Sequence, residues 1–170
     1  MNNEIKLVAS RVAARIANKK AAVTRMVELV MLVARADGVI DDTEREAIAV
    51  FAEELLGPLG SREAIDHVVN ELAAGLDAES LAAHCEAIGK ALANADVVTE
   101  GIELAIHVAL ASDGLADSEK DVIYAIAKSA GATPEQTALL IARLSRASVR
   151  PPVALDVRHL ALERPGSLAL

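Results

Sequence analysis

Residues 34–48 read ARADGVIDDTEREAI, and residues 109–123 read ALASDGLADSEKDVI. In each, an apolar stretch ends on Asp-Gly and a new one begins just after a Glu. Gly38 and Gly114 suit the left-handed residue that ends a helix, a conformation glycine adopts without Cβ strain. Asp41-Asp42-Thr43-Glu44 then reads as a capping box, with Asp41 as N-cap and Glu44 at N3. Ser118-Glu119-Lys120-Asp121 reads as a similar box, with Ser118 as its N-cap. Aligning Asp37-Gly38 with Asp113-Gly114 also aligns Ile48, Phe51 and Ala52 with Ile123, Ile126 and Ala127, and Glu44 with Glu119. The second copy is one residue shorter between Gly and Glu. The chain therefore carries a duplicated helical hairpin, and the expected fold is all-α: one bundle of about seven to eight helices with internal pseudo-two-fold symmetry.

Working outward, Ile5, Val8, Val12 and Ile16 recur at helical spacing and predict an amphipathic helix over residues 1–19. It reads as a helix docked on the rest of the domain; its basic residues also suit a membrane surface or a partner. Further helices are expected at about 20–37, from 41 or 42 to Gly57-Pro58, at 61–74, 78–94, 97–113 and 118–130. Thr133-Pro134-Glu135-Gln136 spells a helix start, with Thr as N-cap, Pro at N1 and Gln at N3. Residues 20–147 form the helical domain on this reading. Residues 148–170, with Pro151, Pro152 and Pro165, read as a tail without sustained period.

Composition agrees. The 170 residues are 53% hydrophobic but 1% aromatic, which suits helices packed closely through Ala, Leu, Ile and Val rather than a sandwich core. Net charge is −8. Both ends are basic, so the acidic excess lies in the body, which argues against nucleic acid as a partner and for cations or basic surfaces. No run is long and apolar enough to span a bilayer, and Arg11 and Arg15 interrupt any secretory signal core. Cys85 is the single cysteine, which excludes an internal disulfide and fits a reducing, cytoplasmic setting.

Capping accounts for Asp41 but not for Asp37 and Asp113. Each is expected in the last turn of its helix, where the free carbonyls already make the end negative. A carboxylate there is unfavourable by roughly 0.3–1 kcal/mol. A cation bridging Asp37 to Glu44, and Asp113 to Glu119, would remove that repulsion. Carboxylate oxygens are hard ligands, so Ca²⁺ or Mg²⁺ is the expected ion. The pattern is not an EF-hand, because Ala34, Arg35 and Ala36 stand where its ligands would precede the glycine.

The paired signatures ADGVIDDTE and SDGLADSE, each between two helices, resemble the TerB family of tellurite-resistance proteins over roughly residues 20–147. The resemblance implies an all-helical domain with internal pseudo-symmetry and an acidic metal-binding patch, carried by position onto Asp37, Glu44, Asp113 and Glu119. It also implies a role in bacterial stress response and metal handling in the cytoplasm, peripheral to the inner membrane, beside a TerC-like membrane protein or TerD-like proteins. A homo-oligomer is compatible with it. The deletion in the second motif places Lys120, not Glu, seven residues after Asp113, so either Glu119 swings into place or that half-site is weakened.

No catalytic constellation accompanies the motifs, and the chain is not expected to be an enzyme. His84 and Cys85 are sequence neighbours and diverge on a helix. Glu63, His67 and Glu71, and likewise Glu103 and His107, share helix faces, but without further zinc-ligand spacing they read as solvated. Two functional readings follow: a divalent-cation protein of TerB type, and a metal-free adaptor whose acidic patch docks a basic or membrane-associated partner.

Overall fold

The computed structural model describes residues 2–16, 20–38, 40–56, 78–112 and 114–149. Among these residues every regular element is an α-helix: α1 (Asn2–Ile16), α2 (Lys20–Ala34), α3 (Asp42–Leu56), α4 (Ala78–Ala95), α5 (Val98–Ala109), α6 (Asp117–Ser129) and α7 (Pro134–Val149). The all-α bundle expected from the repeated motif is the observed fold. The helix expected at 61–74 and the tail after 149 lie outside the described residues.

Local signals set the boundaries. α2 ends at Ala34 rather than Asp37, and its backbone tightens into a shorter-range turn, with Ala36 N–H donating to Val33 O at 3.0 Å and Gly38 N–H to Arg35 O at 2.8 Å. Asp37 therefore stands in the turn that follows the helix. Gly38 and Gly114 have φ of +103° and +119°, the left-handed side that side-chain-bearing residues avoid. α7 starts as its sequence spells it. Gln136 N–H donates to Thr133 Oγ1 at 3.3 Å, and Thr133 N–H donates to Gln136 Oε1 at 2.8 Å.

The duplication is wider than the hairpin. α1 packs on α3 and α5, while α4 packs on α6 and α2; α2 meets α3 as α5 meets α6; and α2 and α5 meet each other at the centre. Each contact of α1–α3 thus has a counterpart in α4–α6. The separation that carries Asp37 to Asp113 also carries Ile5 to Leu81, Ala9 to Cys85 and Val12 to Ile88. α1 is the first helix of one repeat and α4 the first helix of the other. Ile5, Val8, Ala9 and Val12 are buried in the same core as Met26, Leu29, Ile48, Phe51, Ile88, Leu104, Ile106, Ile123 and Ile126.

The basic side of α1 is engaged within the bundle. Arg15 pairs with Glu100 at 2.6 Å and with Asp96 at 2.5 Å; Arg11 pairs with Glu103 at 2.7 Å. Arg143 of α7 also bonds Glu103. Glu103 and His107 are not solvated, as their spacing suggested, but 7% and 6% exposed. α5 is the central helix, buried continuously from Gly101 to Ala109, so a polar residue on any of its faces is enclosed. Two arginines satisfy Glu103, whereas His107 Nδ1 is buried without a hydrogen-bond partner. Burial holds the His107 pKa below the ordinary imidazole value, against the opposing charges of Glu4 and Glu103. Glu63, His67 and Glu71 lie outside the described residues.

Candidate functional site

The two hairpins bring their N3 glutamates together. In the first, Asp41 and Glu44 form the expected box: Glu44 N–H donates to Asp41 Oδ1 at 2.7 Å, and Asp41 N–H donates to Glu44 Oε2 at 2.9 Å. In the second, α6 begins at Asp117, so the N-cap is Ala116 and not Ser118. The missing residue is taken out of the turn, leaving Glu119 at N3. Ala116 N–H donates to Glu119 Oε2 at 2.6 Å, but Ala116 has no side-chain oxygen to return the bond. Only half of the box exists there. Glu119 does take the place of Glu44, while Lys120 pairs with Asp117 at 2.8 Å.

Glu44 and Glu119 are each 2% exposed. They line a pocket of about 450 Å³ together with Asp37, Asp41, Ser112 and Gly114. The Glu44 and Glu119 carboxyl groups share this pocket closely enough for each to shift the other's protonation. Glu119 Oε1 is buried, and apart from a proton shared with Glu44 no donor meets it. Asp37 and Asp41 are exposed and lie within electrostatic range of both glutamates. Asp113 lies outside the described residues, so the structure places Asp37, Glu44 and Glu119 of the four expected residues and adds Asp41, which the sequence presented as a cap alone.

This arrangement holds protons tightly. Burial, the largest cause, pushes the Glu44 pKa up to about 7; the Asp41 N–H opposes it, and the charges of Asp41, Glu119 and Asp37 reinforce it. Burial also raises Glu119, opposed by the Ala116 N–H and reinforced by Asp37, with the contact to Glu44 lowering it. Two carboxylates this close cannot both ionise without a compensating positive charge.

The family model of the tellurite resistance protein TerB matches residues 24–142. The chain belongs to the TerB family. The matched span holds both Asp-Gly turns, both N3 glutamates and the central helices. Comparison with curated proteins and with solved structures gives no match. Among the described residues, no helix is long and apolar enough to cross a membrane.

Proposed function

We propose that this TerB protein binds a divalent cation in the pocket between its hairpins, through Glu44 and Glu119 with Asp37 beside them. The observation that carries the reading is Glu119 Oε1, a buried acceptor left without a donor once the neighbouring Glu44 has lost its proton. An acceptor in that position costs free energy unless a proton or a cation meets it. A hard divalent ion suits carboxylate oxygens. Among the described residues no three acidic, His or Cys side chains converge closely enough to enclose an ion. Two carboxylates and room for water suit hydrated Mg²⁺, which keeps several waters, better than Ca²⁺, which wants 6–8 oxygens. Asp113 is the natural further ligand by symmetry with Asp37. The biological role we assign is cation handling in tellurite resistance, the setting from which the family takes its name.

A thermal melt with and without Mg²⁺ or Ca²⁺ tests the assignment. Above neutral pH, a cation at a hundredfold excess over its dissociation constant should stabilise the fold by about 2.7 kcal/mol. Asp37→Asn and Glu119→Gln should each lose most of that gain. If no divalent cation raises the midpoint, the cation reading fails. The second reading then takes over: a partner's ammonium or guanidinium group enters the pocket and meets the same carboxylates. The two-carboxylate geometry favours it, since one cationic side chain needs no more.

A further inference from the structure

The outer face of α7 is complementary to itself. Residues spaced i, i+4, i+7 and i+11 share one face of an α-helix. On α7 such a line runs through Glu135, Leu139, Ala142 and Arg146. Glu135, Leu139 and Arg146 are exposed and Ala142 is half-buried, so the line faces away from the core. Its spacing is symmetric about a midpoint between Leu140 and Ile141. It begins on an acid, ends on a base, and carries one large and one small apolar residue between them. Hydrogen bonds from its own backbone N–H and from Thr133 hold the Glu135 carboxyl below the usual carboxylate range, so it is charged.

An antiparallel copy of this helix, turned about a two-fold axis through that midpoint, would complement every position. Glu135 would meet Arg146 of the second copy, and Leu139 would meet Ala142 of the second copy, each contact occurring twice. Ala142 leaves room for Leu139, and exposed Ala138 beside it lets two helices approach closely. Next to the line, α5 and α7 border an open groove of about 850 Å³ lined by buried Ile102, half-buried Val98 and Leu140, and Leu139 itself. A helix laid on this face extends over that apolar lining.

Exposure of a leucine alone does not single out this face. Leu7 of α1 is 64% exposed, against 72% for Leu139. The corresponding line on α1 is Asn3, Leu7, Ser10 and Ala14, and Ser10 already bonds Glu54. An antiparallel copy there would set Leu7 against Ser10 and Asn3 against Ala14, with no charge to fix either end. Only the line on α7 pairs large with small and acid with base.

We propose that α7 is the contact between two copies of this chain, packed antiparallel with Leu139 on Ala142 and Glu135 against Arg146. Burial of Leu139 supplies the attraction, and the paired charges fix direction and register. One helix pair is a small interface, so the dimer forms and parts with concentration. None of the four residues lines the acidic pocket, and the contact needs no cation.

Sedimentation equilibrium of the full-length protein in chelator tests this. The wild type should dimerise as its concentration rises. Arg146→Glu sets like charges in contact at both ends of the interface and should weaken dimerisation by about tenfold or more, as should Leu139→Asp. Glu135→Arg combined with Arg146→Glu restores opposite charges and should recover affinity to within a few-fold of wild type. That recovery also excludes loss through misfolding. A protein that stays monomeric up to about a millimolar would overturn the proposal. So would a dimer indifferent to Leu139→Asp, whose contact must lie elsewhere. A double variant no better than Arg146→Glu alone would overturn it too, because Glu135 and Arg146 would then not meet.

Discussion

The two hairpins occupy equivalent places and present the same glutamate, yet they are built differently. The first has a full turn and a reciprocal box between Asp41 and Glu44. The second has lost a residue and its capping side chain, but keeps Glu119 at N3. What the repeat preserves is the carboxylate at the interface, not the cap. A box retained only for helix stability would have kept Asp or Ser at position 116, where an N-cap side chain contributes about 1 kcal/mol. This asymmetry favours reading Glu44 and Glu119 as the functional pair and Asp41 as support.

The largest expected effect probes the comparison one layer down, where α1 crosses α3 and α4 crosses α6. The counterpart of Ala13 in α1 is Gly89 in α4. A Cβ on Gly89 would lie 2.6 Å from the Ile126 carbonyl oxygen and from Ser129 Cβ, and 2.8 Å from the Ala130 nitrogen. Two of those neighbours are backbone atoms and cannot rotate aside. Gly89→Ala should therefore destabilise the fold by about 2–3 kcal/mol in denaturant melts, despite the better helix propensity of alanine. Ala13→Gly should cost only about 1 kcal/mol. Equal losses would show the two crossings to be alike.

Next in size is the pH response of the glutamate pair. Folded Glu44 releases its proton near 7, against 4.5 for the ordinary carboxyl group. The folded state thus binds the proton more tightly than the unfolded state. Its stabilising contribution is complete below about 4.5 and is lost as pH rises through about 7. In chelator, wild type should melt lower at about pH 8 than at about pH 6, and Glu44→Gln should remove most of that slope. Gln keeps an acceptor for Asp41 N–H, so the variant should gain on the order of 2 kcal/mol at about pH 8. Glu119→Gln should change stability in the same direction, by less. A wild type that grows more stable across this range would contradict the buried-pair description.

The hairpins were legible because glycine, the capping box and apolar spacing are local signals. Gly38, Gly114, Asp41, Glu44 and Thr133 each act within a turn of where they stand. The pairing of Glu44 with Glu119 followed from aligning the copies. Three features needed the third dimension. Glu103 and His107 looked solvated because a single helix face carries no record of what packs on the opposite side. The signal that was present is the near absence of other charge on VTEGIELAIHVA, the mark of a helix buried all round. Ser118 looked like the cap because serine caps well; the structure instead keeps Glu119 at N3, where it meets Glu44. The kinship of α1 and α4 was hidden because Ile5, Ala9 and Val12 match Leu81, Cys85 and Ile88 in size and spacing rather than in identity.

The missing cap makes a smaller prediction. Ala116 already has the extended backbone of an N-cap residue, with φ −67° and ψ 157°. Ala116→Ser needs no rearrangement to offer an acceptor to the Glu119 N–H, and should stabilise by about 1 kcal/mol. Serine brings no charge, so the cation response should stay as in wild type. A loss of stability would mean that the shortened turn cannot accept the side chain that the longer one carries.

The smallest effect on stability is expected at Asp41, where it separates capping from electrostatics. Asn caps a helix about as well as Asp, so Asp41→Asn should alter stability by only a few tenths of a kcal/mol. It also removes a negative charge that helps to raise the Glu44 pKa. Side-chain carboxyl NMR should therefore show Glu44 titrating below its wild-type value of about 7, but still above 4.5, because burial is the larger cause and remains. Glu119 should follow in the same direction, since Asp41 also raises it. No mutation at position 116 can mirror this, because the second hairpin has no charge there to remove. If Glu44 titrates unchanged in the Asn variant, the Asp41 charge does not reach the pair, and the pocket's field comes from Asp37 and the two glutamates alone.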